Sequence, residues 1–535
     1  MVITGDEYLK RIDALNNEVW IHGERVKGKI TEHLAFKGVL QSKAALYDLQ
    51  HDPDLTNLLT VQLQDSTDKI GFSFHQPKTI EDLKKREAAT RIWSKTNAGL
   101  MGRMPDYVNT GIMALASASD LFGKNESMFG KNIKNLYQTA CKNDLSFTHT
   151  FINPKVNRSV AYFEDSDKNI IAAKVVKETS DGLIIKGARL LATQGGITDE
   201  ILVLPSGGNF VDESFIYAFS IPSNTPGLKF ICRQSFTGGD SRFDCPLSSR
   251  FEEMDSLVVF DDVLVPWERV FLYKDLQIAF QMLEDTNFHT LLLYQAVTRM
   301  IVKTEFILGL AELIIKSIQI GEFQHVKEKA SEIITALEIM KGLQISSREN
   351  AKLNQWGTMV PDVNPLQAAI HYYPRVYPRL VEILQLLSGS GLIALPTEKD
   401  FESSIRKFLD QYLQGANSSA DRVKVFRLAW DLCMSAFGSR QTQFERFFFG
   451  DPVRLSIGLY NSYPKEPYIK FAKSFLRKFF NLNKKDFFIN ENKLILIKSS
   501  RRERLTPVLS HHRTYGSVYG GSIKIIDASL YNFRE

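Results

Sequence analysis

The first 145 residues have apolar positions at the three- and four-residue spacing of amphipathic helices. The segment Thr4-Gly5-Asp6-Glu7 is typical of a capping box that opens a helix. Pro105 fits the first turn of a later helix and Asp106 is favourable at its N-terminus, so Arg103 should lie just before that helix. We therefore expect a helical N-terminal domain over residues 1–145, with helices in the segments Tyr8–Leu15, Ile92–Met101 and Pro105–Ala118.

Between residues 146 and 268 the pattern changes to an alternation of apolar and polar positions in short runs separated by Gly, Pro, Asn and Asp. No helical stretch separates these runs, which argues against a doubly wound parallel sheet. We expect a central β-domain that is either a small barrel or a sandwich, and of these two we predict the barrel. Its strands are expected in the segments Ile170–Val176, Gly182–Leu191, Glu200–Leu204, Phe215–Ile221 and Ser256–Val265.

Helical periodicity returns after Pro266-Trp267-Glu268. Four long amphipathic helices with short connections predict a C-terminal four-helix bundle over residues 269–476. The chain is therefore predicted to be mainly α with a central β-domain. The apolar stripes that mark the four helices lie in the segments Phe306–Ile318, Ala330–Leu343, Tyr377–Leu387 and Val423–Ala436.

The last segment, residues 477–535, differs from the rest in composition and has no sustained period. From Lys473 onward the chain has 13 Lys and Arg against 5 Asp and Glu, a net charge of +8, whereas residues 1–472 have a net charge of −3. The overall charge of +5 therefore says little about what the main body binds. We predict a basic appended tail outside the catalytic fold and no nucleic-acid partner; a nucleic-acid-binding arm is the alternative.

Several classes of protein are disfavoured by the sequence. No run of 18 apolar residues is free of charges, and the N-terminal residues lack the apolar core of a signal peptide, so we expect a cytoplasmic protein without a membrane partner. None of the four cysteines belongs to a C-x-x-C pair, so we expect buried, reduced thiols. The pair His511-His512 has no carboxylate or cysteine at ligand spacing, and we predict no metal site.

The candidate chemistry is concentrated in Gly102-Arg103-Met104-Pro105-Asp106-Tyr107 and in His149-Thr150-Phe151-Ile152-Asn153-Pro154. A fixed cation, a phenol and an imidazole suit a ligand whose oxygen gains negative charge, as in an activated phenol. The segment Gly389-Ser390-Gly391 imitates a dinucleotide fingerprint but follows a helical stripe instead of a strand. We therefore expect no Rossmann site for NAD(P)H in this chain.

Five segments in order resemble the oxygenase components of the 4-hydroxyphenylacetate 3-monooxygenase family, a branch of the acyl-CoA dehydrogenase-like superfamily. The resemblance runs from the first residues to about Leu476. It implies the superfamily's architecture: a helical N-domain, a middle β-barrel and a C-terminal four-helix bundle. The matching segments are residues 102–107, 149–158, Pro246-Leu247-Ser248-Ser249-Arg250-Phe251, 261–267 and Phe449-Gly450-Asp451-Pro452-Val453-Arg454.

The resemblance also implies the activity. In this family FAD arrives reduced from a separate NAD(P)H:flavin reductase, reacts with O2 to a C4a-hydroperoxide, and hydroxylates a phenol ortho to its hydroxyl. The expected substrate is 4-hydroxyphenylacetate or a related phenol, and the expected product is a catechol. Tetramers are usual in the family, so a homotetramer is expected here.

Carried over residue by residue, the resemblance implies that Arg103, Tyr107 and His149 are catalytic and surround the phenol. Ser206 and Gly207 fall where a substrate-contacting loop is expected. The implied flavin contacts are His149, Thr150, Phe151, Lys155, Val156, Asn157, Arg158, Thr193, Gly450, Asp451, Pro452 and Val453, with the last four expected to complete the site from the same or a neighbouring subunit.

Energetics set a demand on these residues. A phenol with a pKa of ~10 costs roughly 4 kcal/mol to hold as phenolate at neutral pH. Charge-assisted hydrogen bonds contribute on the order of 1.5 to 3 kcal/mol each. We therefore expect the Arg103 guanidinium and a His149 imidazolium to act together on the phenol oxygen.

Four other functions compete with this interpretation. A 4-hydroxybutyryl-CoA dehydratase would need cluster-ligating cysteines near the first motif, where this chain has Arg103 and Tyr107. An acyl-CoA dehydrogenase would need a catalytic carboxylate, and the sequence singles out none. A flavin-binding homologue without turnover remains an alternative, as does a monooxygenase for another phenol such as a chlorophenol.

Overall fold

The computed structural model describes residues 1–63, 67–154, 170–205 and 212–480. Residues 1–456 pack as one compact unit, and a second compact unit begins at Ile457. Within the first unit a large buried hydrophobic core extends through the helical and β regions. No described helix combines the length and the apolar composition that crossing a bilayer requires.

The N-terminal region is mostly helical. Thr4 and Glu7 form the predicted capping box, and Pro105 occupies the first turn of its helix, so Arg103 precedes that helix as expected. The predicted helix over Ile92–Met101 is corrected, because its helix ends at Thr96. The elements are α1 (Gly5–Leu15), β1 (Val19–Ile21), β2 (Glu24–Arg25), α2 (Lys37–Asp48), α3 (Thr56–Leu59), β3 (Thr60–Gln62), β4 (Lys69–Gly71), α4 (Ile80–Thr96), α5 (Pro105–Ser117), α6 (Ser119–Phe122) and α7 (Ser127–Asn143).

The middle region contains the predicted strands and several that the alternation did not predict. The elements are β5 (Phe147–Thr150), β6 (Lys174–Glu178), β7 (Gly182–Thr193), β8 (Glu200–Val203), β9 (Tyr217–Pro222), β10 (Leu228–Cys232), α8 (Ser248–Phe251), β11 (Asp255–Pro266) and β12 (Val270–Tyr273). One sheet has the order β2-β1-β10-β11-β7-β6, and the other has the order β12-β9-β8-β5. Most pairs are antiparallel, but β1 pairs in parallel with β10 and β5 with β8.

The predicted closed barrel is wrong: among the described residues the two sheets stay separate and pack face to face. Phe219 of β9 meets Phe260 of β11 edge to face, with ring centroids 6.1 Å apart. The edge strand β12 is covered by a helix instead of another strand, since the Asn132 amide of α7 donates to the Val270 carbonyl at 2.8 Å. A sheet edge satisfied in this way does not need closure.

The C-terminal region returns to helix, as predicted. The elements are α9 (Leu276–Glu284), α10 (Phe288–Ser317), α11 (Gln324–Glu349), β13 (Lys352–Leu353), β14 (Met359–Val360), α12 (Val363–Ser388), α13 (Glu398–Phe401), α14 (Arg406–Tyr412), α15 (Ser419–Cys433), α16 (Ala436–Phe447), α17 (Pro452–Ser462) and α18 (Glu466–Phe480). Helix α10 packs on α11, α12 and α15, and α12 also packs on α15 and α16. Gly389 caps the end of α12, so the fingerprint-like segment follows a helix.

Two further expectations have structural outcomes. The four cysteines are free and buried, as predicted. The appended tail lies outside the described residues from position 481 onward, and His511 and His512 lie there with it.

Candidate active site

Arg103 lies in the loop between α4 and α5 and is buried. Its guanidinium carbon is 4.8 Å from the centre of the Tyr107 ring and 4.6 Å from the centre of the Phe448 ring. The guanidinium Nη1 donates to the Gly102 carbonyl at 3.2 Å, while Nε is buried and has no hydrogen-bond partner among the described residues. Burial lowers the pKa of Arg103, although an arginine stays protonated in proteins. The site therefore contains a buried positive charge sandwiched between two aromatic rings.

Tyr107 is the third residue of α5, in the first turn of the helix and four residues after Arg103. Its ring centroid is 5.8 Å from that of His149. Burial raises the pKa of the Tyr107 hydroxyl to about 12, and the nearby Arg103 charge only partly opposes this. Tyr107 is therefore a neutral phenol that can donate or accept a hydrogen bond at neutral pH.

His149 lies in β5, whose four residues are all buried. Burial, and secondarily the Arg103 charge, lower the pKa of His149 well below its usual value of 6.5. The expected imidazolium is therefore corrected to a neutral imidazole, because the sequence does not reveal the combined effect of burial and a neighbouring cation. A neutral imidazole still has one N–H to donate.

Several buried polar atoms of the site have no hydrogen-bond partner among the described residues: Arg103 Nε, His149 Nδ1 and Thr150 Oγ1. Buried polar groups are normally hydrogen-bonded, so adjacent unsatisfied groups indicate a place that a ligand completes. Donors and acceptors of this kind fit the oxygen and nitrogen atoms of a phenol or a flavin ring. The neighbouring Phe151, whose ring centroid is 5.2 Å from that of His149, adds an aromatic surface.

Thr193, at the end of β7, is buried close to β5. Its carbonyl accepts a hydrogen bond from Thr148 at 2.7 Å, and its hydroxyl donates to Asp255 at 2.8 Å. Asp255 in turn accepts two hydrogen bonds from Arg440 of α16. Thr193 is therefore fixed beside the strand that contains His149.

The segment Gly450-Asp451-Pro452-Val453 follows Phe448 and Phe449 directly. Gly450 has a φ of +118°, a conformation that favours glycine, and Asp451 accepts from the backbone N–H of Val453 at 2.9 Å, which caps α17. The Val453 side chain is 65% exposed, so the structure does not bring it into the cluster around Arg103. The other predicted contacts Lys155, Val156, Asn157, Arg158, Ser206 and Gly207 lie outside the described residues.

Four residues that hold or enclose the site were not predicted from the sequence. Phe448 stacks on Phe444 with ring centroids 4.6 Å apart; Phe444 lies in the last turn of α16, and Phe448 is the capping residue directly after it. Glu253 accepts hydrogen bonds from the backbone of the Arg103 loop, and Arg440 lies beside it. The run Phe447-Phe448-Phe449 before the last motif was a usable signal for Phe448. Glu253 had no such signal, since it is far from the loop in sequence.

Two family models match the chain. The model described as 4-hydroxyphenylacetate 3-hydroxylase N terminal matches residues 4–272, and the model described as 4-hydroxyphenylacetate 3-hydroxylase C terminal matches residues 279–477. The chain belongs to the 4-hydroxyphenylacetate 3-hydroxylase family. The predicted family is therefore confirmed. The chain is a flavin-dependent aromatic monooxygenase.

Individual members of the 4-hydroxyphenylacetate 3-hydroxylase family resemble the chain over most of its length. A probable 4-hydroxyphenylacetate 3-monooxygenase of Bacillus subtilis (strain 168) is 51% identical over 476 residues, covering 89% of this chain and 98% of the relative. The 4-nitrophenol 2-monooxygenase oxygenase component of Rhodococcus sp is 33% identical, covering 84% and 86%.

Solved structures agree with this placement. The crystal structure of the oxygenase component of 4-hydroxyphenylacetate 3-monooxygenase, complexed with FAD and 4-hydroxyphenylacetate, has a TM-score of 0.85 and 44% identity, covering 89% of this chain and 98% of that chain. An archaeal 4-hydroxybutyryl-CoA dehydratase from N. maritimus has a TM-score of 0.79 at 18% identity, covering 90% and 96%. The second likeness concerns the fold alone.

Proposed function

We propose that this chain is the oxygenase component of a two-component monooxygenase that hydroxylates 4-hydroxyphenylacetate ortho to its hydroxyl, giving a catechol. FAD, reduced by a separate NAD(P)H:flavin reductase, and O2 are the expected cofactor and co-substrate. The family membership supports this, as do the names of the Bacillus subtilis relative and of the solved complex with FAD and 4-hydroxyphenylacetate. The observation that carries the proposal is the buried Arg103 guanidinium between two aromatic rings, next to Tyr107 and His149.

Arg103 is proposed to bind the phenol oxygen of the substrate and to favour its phenolate form. Holding a phenol of pKa ~10 as phenolate at neutral pH costs roughly 4 kcal/mol. One charge-assisted hydrogen bond supplies about 1.5 to 3 kcal/mol, and a buried site strengthens it. Because His149 is neutral, its N–H contributes only an ordinary hydrogen bond, and most of the stabilisation falls on Arg103. An electron-rich phenolate ring is the form that an electrophilic oxygen attacks.

Tyr107 and His149 are proposed to orient the substrate ring. Tyr107 remains a neutral donor because burial raises its pKa to about 12. The substrate phenol, and not Tyr107, is therefore the group that is deprotonated. His149 and Tyr107 face each other at 5.8 Å between ring centroids, and Arg103 covers the Tyr107 ring. Together they form one buried side of the proposed site for the aryl oxygen.

The residues fit a flavin beside this compartment. Reduced FAD, when bound, supplies the electrons that activate O2 for transfer of one oxygen atom. Thr150 and His149 offer buried polar atoms without partners, Phe151 offers a ring, and Thr193 lies close by on β7. Residues 155–158, 206–207 and 450–453 are proposed to complete the flavin and substrate contacts, with 450–453 supplied by the same or a neighbouring subunit.

The remaining expectations about architecture belong to the same proposal. We keep the domain boundaries at residues 1–145, 146–268 and 269–476, with a four-helix bundle in the last of these and the appended tail at 477–535. A homotetramer is supported by large apolar side chains exposed on α10 and α11, including Leu313, Ile334 and Ile345. The cytoplasm remains the expected location.

The proposal is tested by measuring catechol formed per NADH consumed, with the purified chain, a flavin reductase, FAD and 4-hydroxyphenylacetate. The wild-type chain should couple the two closely. Arg103→Ala should lower the ratio by about 10-fold or more, with hydrogen peroxide released instead, because the lost bond contributes about 1.5 to 3 kcal/mol.

Arg406→Ala is the matched control, since Arg406 is an exposed arginine whose ion pair among the described residues is with the exposed Asp410. It should leave the ratio unchanged. Unchanged coupling in Arg103→Ala would refute the role of Arg103. A wild-type chain that consumes reduced FAD without forming a catechol would favour the flavin-binding alternative, and higher kcat/KM with 4-nitrophenol or a chlorophenol would favour another substrate.

A further inference from the structure

The loop that contains Arg103 is held by its backbone, because the Arg103 side chain has little to anchor it. The only hydrogen bond from the guanidinium to the described residues is the one to the Gly102 carbonyl, its own neighbour in the chain. The other contacts of the guanidinium are with the faces of Tyr107 and Phe448. Ring faces restrain a guanidinium weakly along the plane of the ring, so its position depends on where the backbone of residues 102–103 lies.

Glu253 holds that backbone. Its Oε2 accepts from the Gly102 N–H at 2.9 Å, and its Oε1 accepts from the Arg103 N–H at 2.7 Å. The Glu253 side chain is fully buried, at 0% exposure. Hydrogen bonds from N–H groups to a carboxylate are among the stronger ones in proteins, and two parallel bonds fix direction as well as distance. Glu253 comes from the connection before β11, so it ties the β region to the loop before α5.

Glu253 is itself fixed from two sides. The Gln194 amide donates to Glu253 Oε1 at 3.2 Å, and Gln194 Oε1 in turn accepts from Nζ of the buried Lys43 at 2.8 Å. On the other side, Arg440 Nη1 lies 3.4 Å from Glu253 Oε2. A carboxylate restrained in this way acts as a rigid acceptor instead of a mobile one.

The opposite side of the same loop is closed by other groups. Arg299 Nη1 donates to the Gly99 carbonyl at 2.9 Å, and the Gln441 amide donates to the Leu100 carbonyl at 2.9 Å. A Cβ at Gly102 would lie 2.6 Å from the Phe444 ring. The loop therefore has the carbonyls of Gly99 and Leu100 bound by the helical region, and the N–H groups of Gly102 and Arg103 bound by Glu253.

We propose that Glu253 is the positioning residue of the active site. By accepting hydrogen bonds from the N–H groups of Gly102 and Arg103, it determines where the Arg103 guanidinium contacts the phenol oxygen of the substrate. This inference rests on the proposed function. Glu253 does not touch the substrate in this role and acts only through Arg103. Its removal should misplace the cation without removing it.

The test compares Glu253→Gln with Glu252→Gln in the full chain. The glutamine at 253 keeps one acceptor oxygen but turns an N–H2 group toward a backbone N–H, so one of the two bonds is lost. Glu252 is the matched control, because it is the adjacent buried glutamate and its ion pair is with Arg233, 2.6 Å away. Both variants are first checked for thermal unfolding midpoint and for FAD binding.

The first readout is catechol formed per NADH consumed with 4-hydroxyphenylacetate. We expect Glu253→Gln to lower it by about 10-fold, with Glu252→Gln within about 2-fold of the wild type. The second readout is the pKa of bound 4-nitrophenol, followed anaerobically with photoreduced FAD through the visible absorption of its phenolate. Glu253→Gln should raise that pKa by about one unit, a change that a merely structural role would not produce.

The outcomes separate the two proposals. A wild-type chain that forms no catechol overturns the proposed function before any variant is compared. Suppose that the wild type forms catechol and that Glu253→Gln folds, binds FAD, and has the same catechol per NADH and the same pKa of bound 4-nitrophenol as the wild type. That result overturns only the role of Glu253. If Glu253→Gln does not fold, Glu253→Asp replaces it. The shorter carboxylate should reach one N–H group only and give a catechol-to-NADH ratio below that of the wild type. A ratio equal to that of the wild type overturns the inference.

Discussion

His149 is a buried imidazole. Its charge state decides whether His149 shares with Arg103 the stabilisation of negative charge on the phenol oxygen. Burial and the Arg103 charge lower its pKa well below 6.5, so it is neutral across the physiological range. A neutral imidazole donates a hydrogen bond without bringing a second positive charge next to Arg103. The stabilisation of negative charge on the substrate therefore depends on a single cation.

This arrangement predicts the pH dependence of coupling. A lowered pKa means that His149 is already deprotonated at pH 6 and stays so as the pH rises, so no change in catechol per NADH should occur near pH 6.5 on its account. The ratio is measured from pH 6 to pH 8 in the wild type and in His149→Gln. The expectation fails if the wild type shows a step near pH 6.5 that the variant lacks.

At this scale the sequence was informative where a residue belongs to a continuous motif. Arg103, Tyr107 and His149 were predicted, and the structure brings them together, although their roles are still proposals. The charge of His149 was predicted wrongly, because burial depends on residues far away in the chain. Glu253 could not be predicted, since nothing in its local sequence marks a carboxylate that binds a loop about 150 residues earlier.

Helix α16 is the element that closes the site from the C-terminal region. Phe444 covers Gly102, Phe448 covers Arg103, and Gln441 binds the Leu100 carbonyl. Below them Glu445 forms buried ion pairs with Arg299 at 2.8 Å and with Lys303. Burial alone would raise the pKa of Glu445, but these two cations outweigh it and lower the pKa to about 2. One helix thus fixes both the backbone and the aromatic wall of the Arg103 loop.

The close approach of Phe444 predicts a double-mutant effect. Gly102→Ala places a Cβ 2.6 Å from the ring, so the loop must move and coupling should fall by about 10-fold, an overpacking cost of roughly 1 to 3 kcal/mol. Phe444→Leu in the same chain should restore part of the loss, because it clears the space. Catechol formed per NADH consumed is measured in the two single variants and in the double variant. If the effects of the two substitutions on this ratio simply add, the explanation is contradicted.

Elements with long periodic patterns were predictable, whereas four short strands were not, although the equally short β8 was predicted. The pattern located α5, α10, α11, α12 and α15, although it did not anticipate that α12 continues through Pro374 and Pro378. Strands β1, β5, β10 and β12 have only three to five residues, too few to show a period. Their partners are distant in sequence, so their pairing depends on the tertiary fold.

The whole chain extends beyond the part that its relatives share. The two family models end at residue 477, and the Bacillus subtilis relative is covered to 98% by 476 residues of this chain. The residues after that point contribute the positive net charge of the sequence. The proposed site residues and the groups that hold the Arg103 loop lie between Lys43 and Val453.

A shortened chain ending at Phe480 should therefore hydroxylate 4-hydroxyphenylacetate with a coupling within about 2-fold of the full chain, since it keeps every residue of the proposed site. The comparison uses the same reductase-coupled measurement, with sedimentation to record the assembly state of both forms. Loss of FAD binding or of catechol formation in the shortened chain would give the tail a part in the enzyme that the composition does not suggest.

The parallel pairing of β1 with β10 has a consequence for biosynthesis. Val19 and Trp20 lie beside Phe230 and Ile231, so β1 cannot pair until β10, about two hundred residues further along the chain, has left the ribosome. At about 5–20 residues per second this wait is on the order of 10 to 40 seconds. The segment Val19–Ile21 thus reaches its final place only after the middle region of the polypeptide has been synthesised.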